Sequence, residues 1–302
     1  MEQSVLVTSP RKQFNNLDTL PMYDRSLVDY TKYNRSIGHA GVKYSMAVQA
    51  TRGCPYRCFY CDVYKTTLHH FRRSVDSVFN EVKKIAELGI KRVEFIDDIF
   101  NVKAKDFVAF FNKVIQHNLK IKFFFPTALK GDLLNKEIID IMMQGGAIGI
   151  NVSLESASPR MQKVMRKNLD IDRFRENLEY ICKQYPEAVT TLNTMHGFPT
   201  ETEEEAMMTL NFIKDMKSKY DAITIGFSGW ANSKKFGFSR GTDYSIPLSD
   251  HCDYNELIEL VTQSGAEKIY TIHGFVDEFA MDLNKLGFSA QPLRESSLDN
   301  FC

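Results

Sequence analysis

The sequence predicts an α/β fold built on a parallel sheet, and three observations support that prediction. Five strand-like segments alternate with five segments whose apolar residues recur at helical spacing, which is typical of consecutive βαβ units. The strand-like segments are apolar throughout, as expected for a sheet covered on both faces by helices. The chain has 302 residues, of which 43% are hydrophobic and 25% charged, enough for one large domain or two smaller ones.

The elements follow one another from about residue 44. The five strands are predicted to begin near Tyr44, Arg92, Ile121, Ile148 and Val189. The helical segments are SVDSVFNEVKKIAELG, AKDFVAFFNKVIQHN, NKEIIDIMMQGG, DIDRFRENLEYICKQY and TEEEAMMTLNFIKDMKSKY, the last beginning after Thr200 or Thr202. A sixth strand at DAITIGFS would give a partial (β/α)6 barrel. A flavodoxin-like open sheet is the competing topology, because periodicity alone does not separate the two.

Charge and hydropathy narrow the classes of protein. Lys plus Arg and Asp plus Glu both number 38, so the formal net charge is zero and a nucleic-acid partner is not favoured. No uncharged apolar run is long enough to span a bilayer, and the first residues lack the features of a signal peptide. We therefore expect a cytoplasmic protein without a membrane partner, in which clustered cysteines serve as metal ligands or redox groups.

Half of the six cysteines lie within eight positions, at Cys54, Cys58 and Cys61, in the spacing C-x3-C-x2-C. They follow the first predicted strand, and in a parallel α/β fold that loop opens at the carboxyl edge of the sheet, where sites are built. A structural zinc site needs a fourth ligand, for which His69 and His70 are the nearest candidates. Iron–sulfur clusters normally take four cysteines, so three would leave one iron open to a small molecule.

This motif, with Tyr60 before its last cysteine, resembles that of the radical S-adenosylmethionine (SAM) superfamily. Further segments resemble the family in the same order over about residues 15–217, namely RRSVDSVFNEVKKI, VEFIDDIFNV, INVSLESASPRMQKVMRK and MHGFPTETEEEAMMT. These motifs most resemble those of family members in which the radical SAM domain follows a cobalamin-binding domain. The segment LDTLPMYDRSLVDY resembles the connector after that domain. The resemblance implies a 4Fe–4S cluster and SAM as cofactors, with any cobalamin supplied from outside this chain.

The resemblance also implies roles for individual residues. The cluster ligands would be Cys54, Cys58 and Cys61, and the SAM-binding residues Tyr60, Asp97, Asp98, Ser153, Glu155, Gly197 and Pro199. In the family's pattern the aspartates face the SAM amino group, Ser153 and Glu155 the ribose or methionine part, and the remaining residues the adenine. An electron donor such as flavodoxin or ferredoxin would reduce the cluster, which would cleave SAM to methionine and a 5′-deoxyadenosyl radical. Methylation, cyclisation or another hydrogen abstraction on a small-molecule or peptide substrate would follow.

Several of these residues also have a structural explanation that does not involve SAM. Asp97 and Asp98 equally fit an N-cap pair before the helix at AKDF. Glu155 also fits a surface residue at the end of a strand. Arg166 and Lys167 fit a solvated helix face better than a contact with SAM.

The sequence after about residue 220 has a different character. SGWA, PLSDHCDYNELIELV and IHGFVDEFAMDLNKLGFSA resemble, in order, the C-terminal end of metallo-β-lactamase-fold proteins of the β-CASP and ligase-associated exonuclease type. In that family the histidines matching His251 and His273 bind metal. The family's His-x-His-x-Asp-His loop is missing from this chain, so structural roles are favoured for both histidines over a nuclease site. Apolar residues of this segment, among them Leu260 and Leu283, are expected to be buried.

Three parts are therefore predicted: an N-terminal arm or connector (1–43), a radical SAM core (44–220) and a small α/β C-terminal fragment resembling the metallo-β-lactamase fold (221–302). The first hypothesis is a radical SAM enzyme. The alternatives are a non-catalytic scaffold formed by fused domain remnants and, less favoured, a metal-dependent nuclease.

Overall fold

A computed structural model of the chain describes residues 16–29, 32, 45–67, 69–127, 129–227, 243–246, 254–271 and 276–293. The chain divides into two compact units, residues 1–222 and residues 223–302. In these described ranges, no helix combines the length and the apolar character needed to cross a membrane.

The first unit is built on a five-stranded parallel sheet. Its strands are β1 (Ser45–Val48), β4 (Arg92–Phe95), β5 (Lys122–Phe125), β6 (Ala147–Glu155) and β7 (Val189–Thr194), and their order in the sheet is their order in the chain. Two short strands, β2 (Thr51–Arg52) and β3 (Phe71–Arg72), form an antiparallel pair. The predicted parallel sheet is confirmed, and each strand begins within one residue of its predicted start.

Helices connect the strands of this sheet. They are α1 (Val63–Thr66), α2 (Val75–Glu87), α3 (Ala104–Gln116), α4 (Lys136–Gln144), α5 (Pro159–Val164), α6 (Ile171–Gln184) and α7 (Glu203–Tyr220), with 3-10 turns at Leu17–Thr19, Arg25–Leu27 and Gly131–Leu133. Helix α7 begins directly after Thr202, one of the two predicted N-caps, where Thr202 and Glu205 form a capping box.

The strand order decides between the two predicted topologies. Right-handed crossovers between strands in sequential order place every connecting helix on the same face of the sheet. A doubly wound sheet instead reverses its order at a switch point, and this sheet does not. The five strands therefore form the partial barrel rather than the flavodoxin-like arrangement.

The two faces of the sheet differ in polarity. Val93, Phe123 and Ile150 are buried on the helix-covered face, whereas Asn151 and Thr191 lie half-buried or exposed on the other. The expectation that the strands are apolar on both faces is wrong for β6 and β7, because a barrel's helices cover only its outer face. The polar face is left to line a site.

Phenylalanine rings fill the space between the sheet and α3. Phe107, Phe110 and Phe111 lie on one face of the helix, since residues three and four apart share a face. They pack against Phe95 and Phe125, whose rings stack with centroids 5.4 Å apart and planes at 8°. Full burial contributes about 1.5–3 kcal/mol for each ring, so this core anchors the strands β4 and β5 and the loops that follow them.

A buried ionic triad attaches the N-terminal arm to the core. Glu81 of α2 is 2% exposed and accepts Arg25 and Arg73, each at 2.5 Å. Arg25 also donates to the Ala47 carbonyl of β1 at 2.9 Å. Because a buried carboxylate is costly without its partners, the arm segment that carries Arg25 is part of the folded unit.

The second unit has two small parallel sheets among its described residues. Its elements are β8 (Ile225–Phe227), β9 (Tyr244–Ile246), α8 (Tyr254–Ser264), β10 (Ile269–Thr271), α9 (Val276–Lys285) and β11 (Ala290–Pro292). The predicted strand–helix–strand order at the end of the chain is confirmed, with β10 parallel to β11. Leu283 is fully buried as expected, but Leu260 is 58% exposed, and no residue of α8 is buried.

The strand predicted at DAITIGFS does not extend the five-stranded sheet. It forms as β8 and pairs in parallel with β9. Two hydrogen bonds fix this pairing at its start, since the amide and the hydroxyl of Thr224 both donate to Asp243 Oδ2 at 2.7 Å. The described barrel is therefore open after β7.

Candidate functional site

The three clustered cysteines lie on the cysteine loop, residues 53–62, which leaves β2 at the carboxyl edge of the sheet. All three are half-buried free thiols. The loop turns back on itself where the Cys61 amide donates to the Cys58 carbonyl at 3.1 Å. It is tied to the segment after α5 by a bond of 2.8 Å from the Phe59 amide to the Met165 carbonyl. The predicted ligands therefore share one loop that is anchored at its middle.

Gly53 opens the cysteine loop in a conformation that other residues rarely adopt. Its φ is +79°, and its amide donates to Asp98 Oδ2 at 2.9 Å. A Cβ at this position would overlap the His69 carbonyl oxygen and lie 2.8 Å from Thr67 Cγ2. The path of the chain into Cys54 therefore requires a residue without a side chain at position 53.

Asp97 and Asp98 follow β4 and have different surroundings. Asp97 is 1% exposed and accepts the amides of Ala50 and Thr51 and, at 2.6 Å, the Thr51 hydroxyl. Burial raises its pKa to about 6, against the lowering effect of these hydrogen bonds. Its oxygens thus hold the chain between β1 and β2. Asp98 is exposed, which leaves it the better placed of the two for the predicted contact with SAM.

The N-cap explanation for this aspartate pair is wrong. The N-cap of α3 is Lys103, and no side chain caps that position. Six residues separate Asp97, and five separate Asp98, from the first residue of the helix, Ala104, so neither carboxylate lies at the N-cap position.

The thiols of the loop influence one another electrostatically. Burial raises the pKa of Cys54 to about 11, an amide hydrogen bond from Tyr56 lowers it, and the charges of Cys58, Cys61 and Asp98 raise it. Burial also raises the pKa of Cys58, while the nearby Lys167 ammonium opposes this. Three thiolates would repel one another here, so a metal centre that replaces their protons would relieve the repulsion.

Tyr60, Glu155 and Lys167 form a triangle beside the cysteines. The Tyr60 hydroxyl lies 3.4 Å from Glu155 Oε1, and Lys167 Nζ lies 3.3 Å from the Tyr60 oxygen and 3.4 Å from Glu155 Oε1. Burial raises the pKa of Tyr60, and the Glu155 charge raises it further. The side chain of Lys167 is 12% exposed and that of Glu155 10% exposed. The expectations of a solvated Lys167 and a surface Glu155 are therefore wrong.

Glu155 reaches this position through an unusual backbone. Its φ is +65°, and the register between β6 and β7 shifts between Ser153 and Glu155. Its carbonyl accepts the Met195 amide at 2.9 Å, which holds the shifted end of β6 against the segment after β7. Such a conformation in a residue other than glycine is retained where surrounding contacts enforce it, often at functional sites.

The turn after β7 reaches the cysteine loop through an aromatic residue. Gly197 has a φ of +77°, and its amide donates to Glu201 Oε2 at 2.7 Å. The next ring, Phe198, meets Phe59 and Tyr60 edge-on, with centroids 6.2 and 6.4 Å apart. The turn residues Gly197 and Pro199 are both exposed. Sequence reasoning missed Phe198, although an aromatic residue between Gly and Pro could have suggested it.

Ser153 lies on the polar face of the sheet. The side-chain amide of Asn193 on β7 is 3.5 Å from its hydroxyl and donates to Asn151 Oδ1 at 2.9 Å. These side chains form a polar row on β6 and β7. Ser153 is thus placed with this row, whereas Glu155 is placed with the cysteines.

The spacing that sulfur ligands need differs between a single zinc ion and an iron–sulfur cluster. Among the residues that the structure describes, no three His, Cys, Asp or Glu side chains are grouped to hold one ion. A tetrahedral zinc site requires sulfurs about 3.8 Å apart, given zinc–sulfur bonds of about 2.3 Å. An iron–sulfur cluster binds its cysteines at different irons and therefore holds them further apart. His251 and His273 lie outside the described residues.

Comparisons with known proteins cover the region of this site. The family model for the radical SAM superfamily matches residues 48–213, which include every predicted cysteine ligand and SAM-binding residue. A Pyrococcus horikoshii protein that is named an uncharacterized methyltransferase is 28% identical to this chain. The match covers 72% of this chain and 46% of that protein's length. A tRNA-2-methylthio-N(6)-dimethylallyladenosine synthase of Pseudothermotoga lettingae is 26% identical over 74% of this chain and 52% of its own length. The chain thus spans about half the length of these relatives.

A solved structure shares the fold. It is the radical SAM methyltransferase TsrM of Kitasatospora setae, with cobalamin and a [4Fe–4S] cluster bound. Its TM-score is 0.52 at 19% identity, over 60% of this chain and 33% of that chain. The shared part supports the partial barrel deduced from the strand order.

Proposed function

Because the chain belongs to the radical SAM superfamily, whose enzymes use a 4Fe–4S cluster and SAM, we propose that Cys54, Cys58 and Cys61 hold such a cluster. When bound, the cluster supplies the electron that cleaves SAM to methionine and a 5′-deoxyadenosyl radical. The observation that carries the proposal is the set of three free, half-buried thiols on one anchored loop at the carboxyl edge of the sheet. Three protein ligands leave one iron for SAM.

The charged groups around the loop suit the amino-acid end of SAM, which carries one ammonium and one carboxylate. Asp98 and Glu155 offer carboxylates to the ammonium, and Lys167 offers an ammonium to the carboxylate. In our proposal these residues orient SAM. They lie after β4, at the end of β6 and after α5, so the folded barrel is needed to assemble them.

The aromatic and turn residues suit the nucleoside end of SAM. Tyr60 and Phe198 present ring surfaces beside the cysteine loop, where an adenine can pack. The exposed turn at Gly197 and Pro199 lets the backbone approach the base closely, since Gly197 has no side chain. Together they would exclude water from the nucleoside and hold it against the loop.

We infer that the reaction is transfer of a methyl or methylthio group. The names of both curated relatives support this class. The polar row of Ser153, Asn151 and Asn193 offers amide and hydroxyl groups to a small-molecule or peptide substrate. Any cobalamin would come from outside this chain, and a flavodoxin or ferredoxin in the cytoplasm would donate the electron. The metallo-β-lactamase likeness of residues 221–302 stays a prediction.

Anaerobic reconstitution with iron and sulfide tests the proposal. We expect about four irons per chain and loss of the cluster absorbance in Cys58→Ala. Cys182→Ala is the matched control, because Cys182 is also a half-buried free thiol but lies in α6 outside the loop. With dithionite and SAM, the wild type and Cys182→Ala should then yield 5′-deoxyadenosine, and Cys58→Ala should not. A single bound zinc without a cluster would support the scaffold hypothesis and overturn this proposal.

A further inference from the structure

A buried ion pair lies behind the cysteine loop, on the segment that follows β5. Lys130 Nζ donates to both oxygens of Asp132, at 2.7 and 2.6 Å. The two side chains are 9% and 8% exposed. Neither the proposed cluster ligands nor the proposed SAM contacts include this pair, so its place beside the site needs a separate explanation.

The backbone on both sides of the pair is fixed by buried amides. Asn101 exchanges two hydrogen bonds with the backbone of Lys130, donating to its carbonyl at 2.9 Å and accepting its amide at 3.0 Å. Asn177 donates to the carbonyls of Gly131 and Leu134 at 2.9 and 2.8 Å. The ammonium of Lys130 is therefore held in place before any ligand binds, at the cost of desolvating two charges.

Tyr56 connects the pair to the cysteines. Lys130 Nζ lies 5.3 Å from the centroid of the Tyr56 ring, within the range of a cation–π interaction. Tyr56 stands between Cys54 and Cys58 in the sequence, two residues from each. The ring of Tyr56 therefore brings the ammonium of Lys130 into contact with the segment that carries Cys54 and Cys58.

We propose that the Lys130–Asp132 pair positions Tyr56 on the cysteine loop and, through its charges, sets the reduction potential of the cluster. This inference rests on the proposed function, because it requires a cluster on the loop. Nearby charge is one of the means by which a protein tunes an iron–sulfur potential. The balanced pair adds little net charge, whereas either half alone would leave an uncompensated charge in a site of low dielectric.

The two single variants are therefore expected to act in opposite directions. Lys130→Met leaves the Asp132 carboxylate uncompensated, which disfavours an added electron and shifts the midpoint potential to more negative values. Asp132→Asn leaves the ammonium uncompensated and shifts the potential to more positive values. The double variant should lie between them. Lys136→Met is the matched control, because Lys136 lies 5.6 Å from the centroid of the Tyr180 ring but on α4.

The experiment is a dithionite redox titration of the reconstituted proteins, followed by electron paramagnetic resonance, with iron content measured for each sample. Opposite shifts at full iron content, with no shift in Lys136→Met, support the inference. The inference would be overturned if the two single variants shifted the potential in the same direction or did not shift it. It would also be overturned if both single variants lost iron while the cluster that remained kept its wild-type potential. Failure of the wild-type chain to bind iron would instead overturn the proposed function.

A second measurement does not need the cluster. The urea unfolding midpoints of cluster-free Lys130→Met, Tyr56→Leu and the combined variant form a double-mutant cycle. The contact predicts a combined loss smaller than the sum of the single losses. Additive losses would overturn the assigned contact between Lys130 and Tyr56 even if no cluster is loaded.

Discussion

Gly53→Ala should destabilise the protein through the entrance to the cysteine loop. The substitution places a side chain on a residue with a φ of +79°, which costs about 1–2 kcal/mol for a left-handed backbone. The new Cβ also overlaps the His69 carbonyl, a backbone atom that cannot rotate away, and this adds about 1–3 kcal/mol. The lower entropy of the unfolded chain returns about 0.4–1 kcal/mol. The expected loss is about 2–4 kcal/mol in the free energy of unfolding.

Gly89→Ala supplies the control for the backbone cost alone. Gly89 has a φ of +83° just after α2, and a Cβ there meets no atom within 4 Å. The free energy of unfolding is therefore expected to fall by about 1 kcal/mol. This is the cost of the left-handed backbone less the gain from the lower entropy of the unfolded chain.

The assay is urea unfolding of the cluster-free proteins, followed by circular dichroism, together with iron content after reconstitution. Gly53→Ala should lose more stability than Gly89→Ala and should bind less iron, because the loop must shift away from His69. Equal losses in the two variants, with equal iron content, would refute the close packing of Gly53 as the determinant of the loop.

Three further predictions concern the neighbouring aspartates, a thiol and the tail. Asp97→Asn should cost about 1–3 kcal/mol in urea unfolding, because it replaces an acceptor oxygen that faces donors, and clearly more than Asp98→Asn; equal losses would contradict the structural role of Asp97. In cluster-free protein, a pKa of about 11 leaves about 1% of Cys54 as thiolate at pH 9, against about half for an unshifted thiol. Its alkylation by iodoacetamide, followed by mass spectrometry, should therefore rise towards pH 11, and a midpoint near pH 9 would show that burial does not control it. Replacing His251 and His273 together by alanine should leave SAM cleavage intact, whereas a folded double variant without cleavage would assign chemistry to the tail.

The alternation of strands and helices was predictable because periodicity reports burial directly. The apolar spacing of AKDFVAFFNKVIQHN, for example, corresponds to α3 and its buried face of three phenylalanines. The choice between barrel and open sheet was not predictable in the same way. Both arrangements bury the same helix faces, and only the strand order, which depends on contacts distant in sequence, separates them.

The cysteines were predictable as a local motif, but their surroundings were not. Asp97 and Asp98 are adjacent and chemically identical, and the orientation of the chain after β4 decides which one is buried. Lys167 follows an arginine at the end of a short helix, a pattern typical of a solvated surface. Its partner Tyr60 is 107 positions away, so only the folded chain brings the two together.

The ionic triad at Glu81 limits how this chain can be divided and recombined. The segment with Arg25 cannot be replaced by an unrelated sequence without removing one of the two arginines that neutralise the buried Glu81 carboxylate. A cut at residue 43 would also remove the donor to the Ala47 carbonyl beside β1. Recombination that preserves the barrel therefore has to carry the stretch from Arg25 onwards with it, so the unit that must be kept together begins well before the first strand.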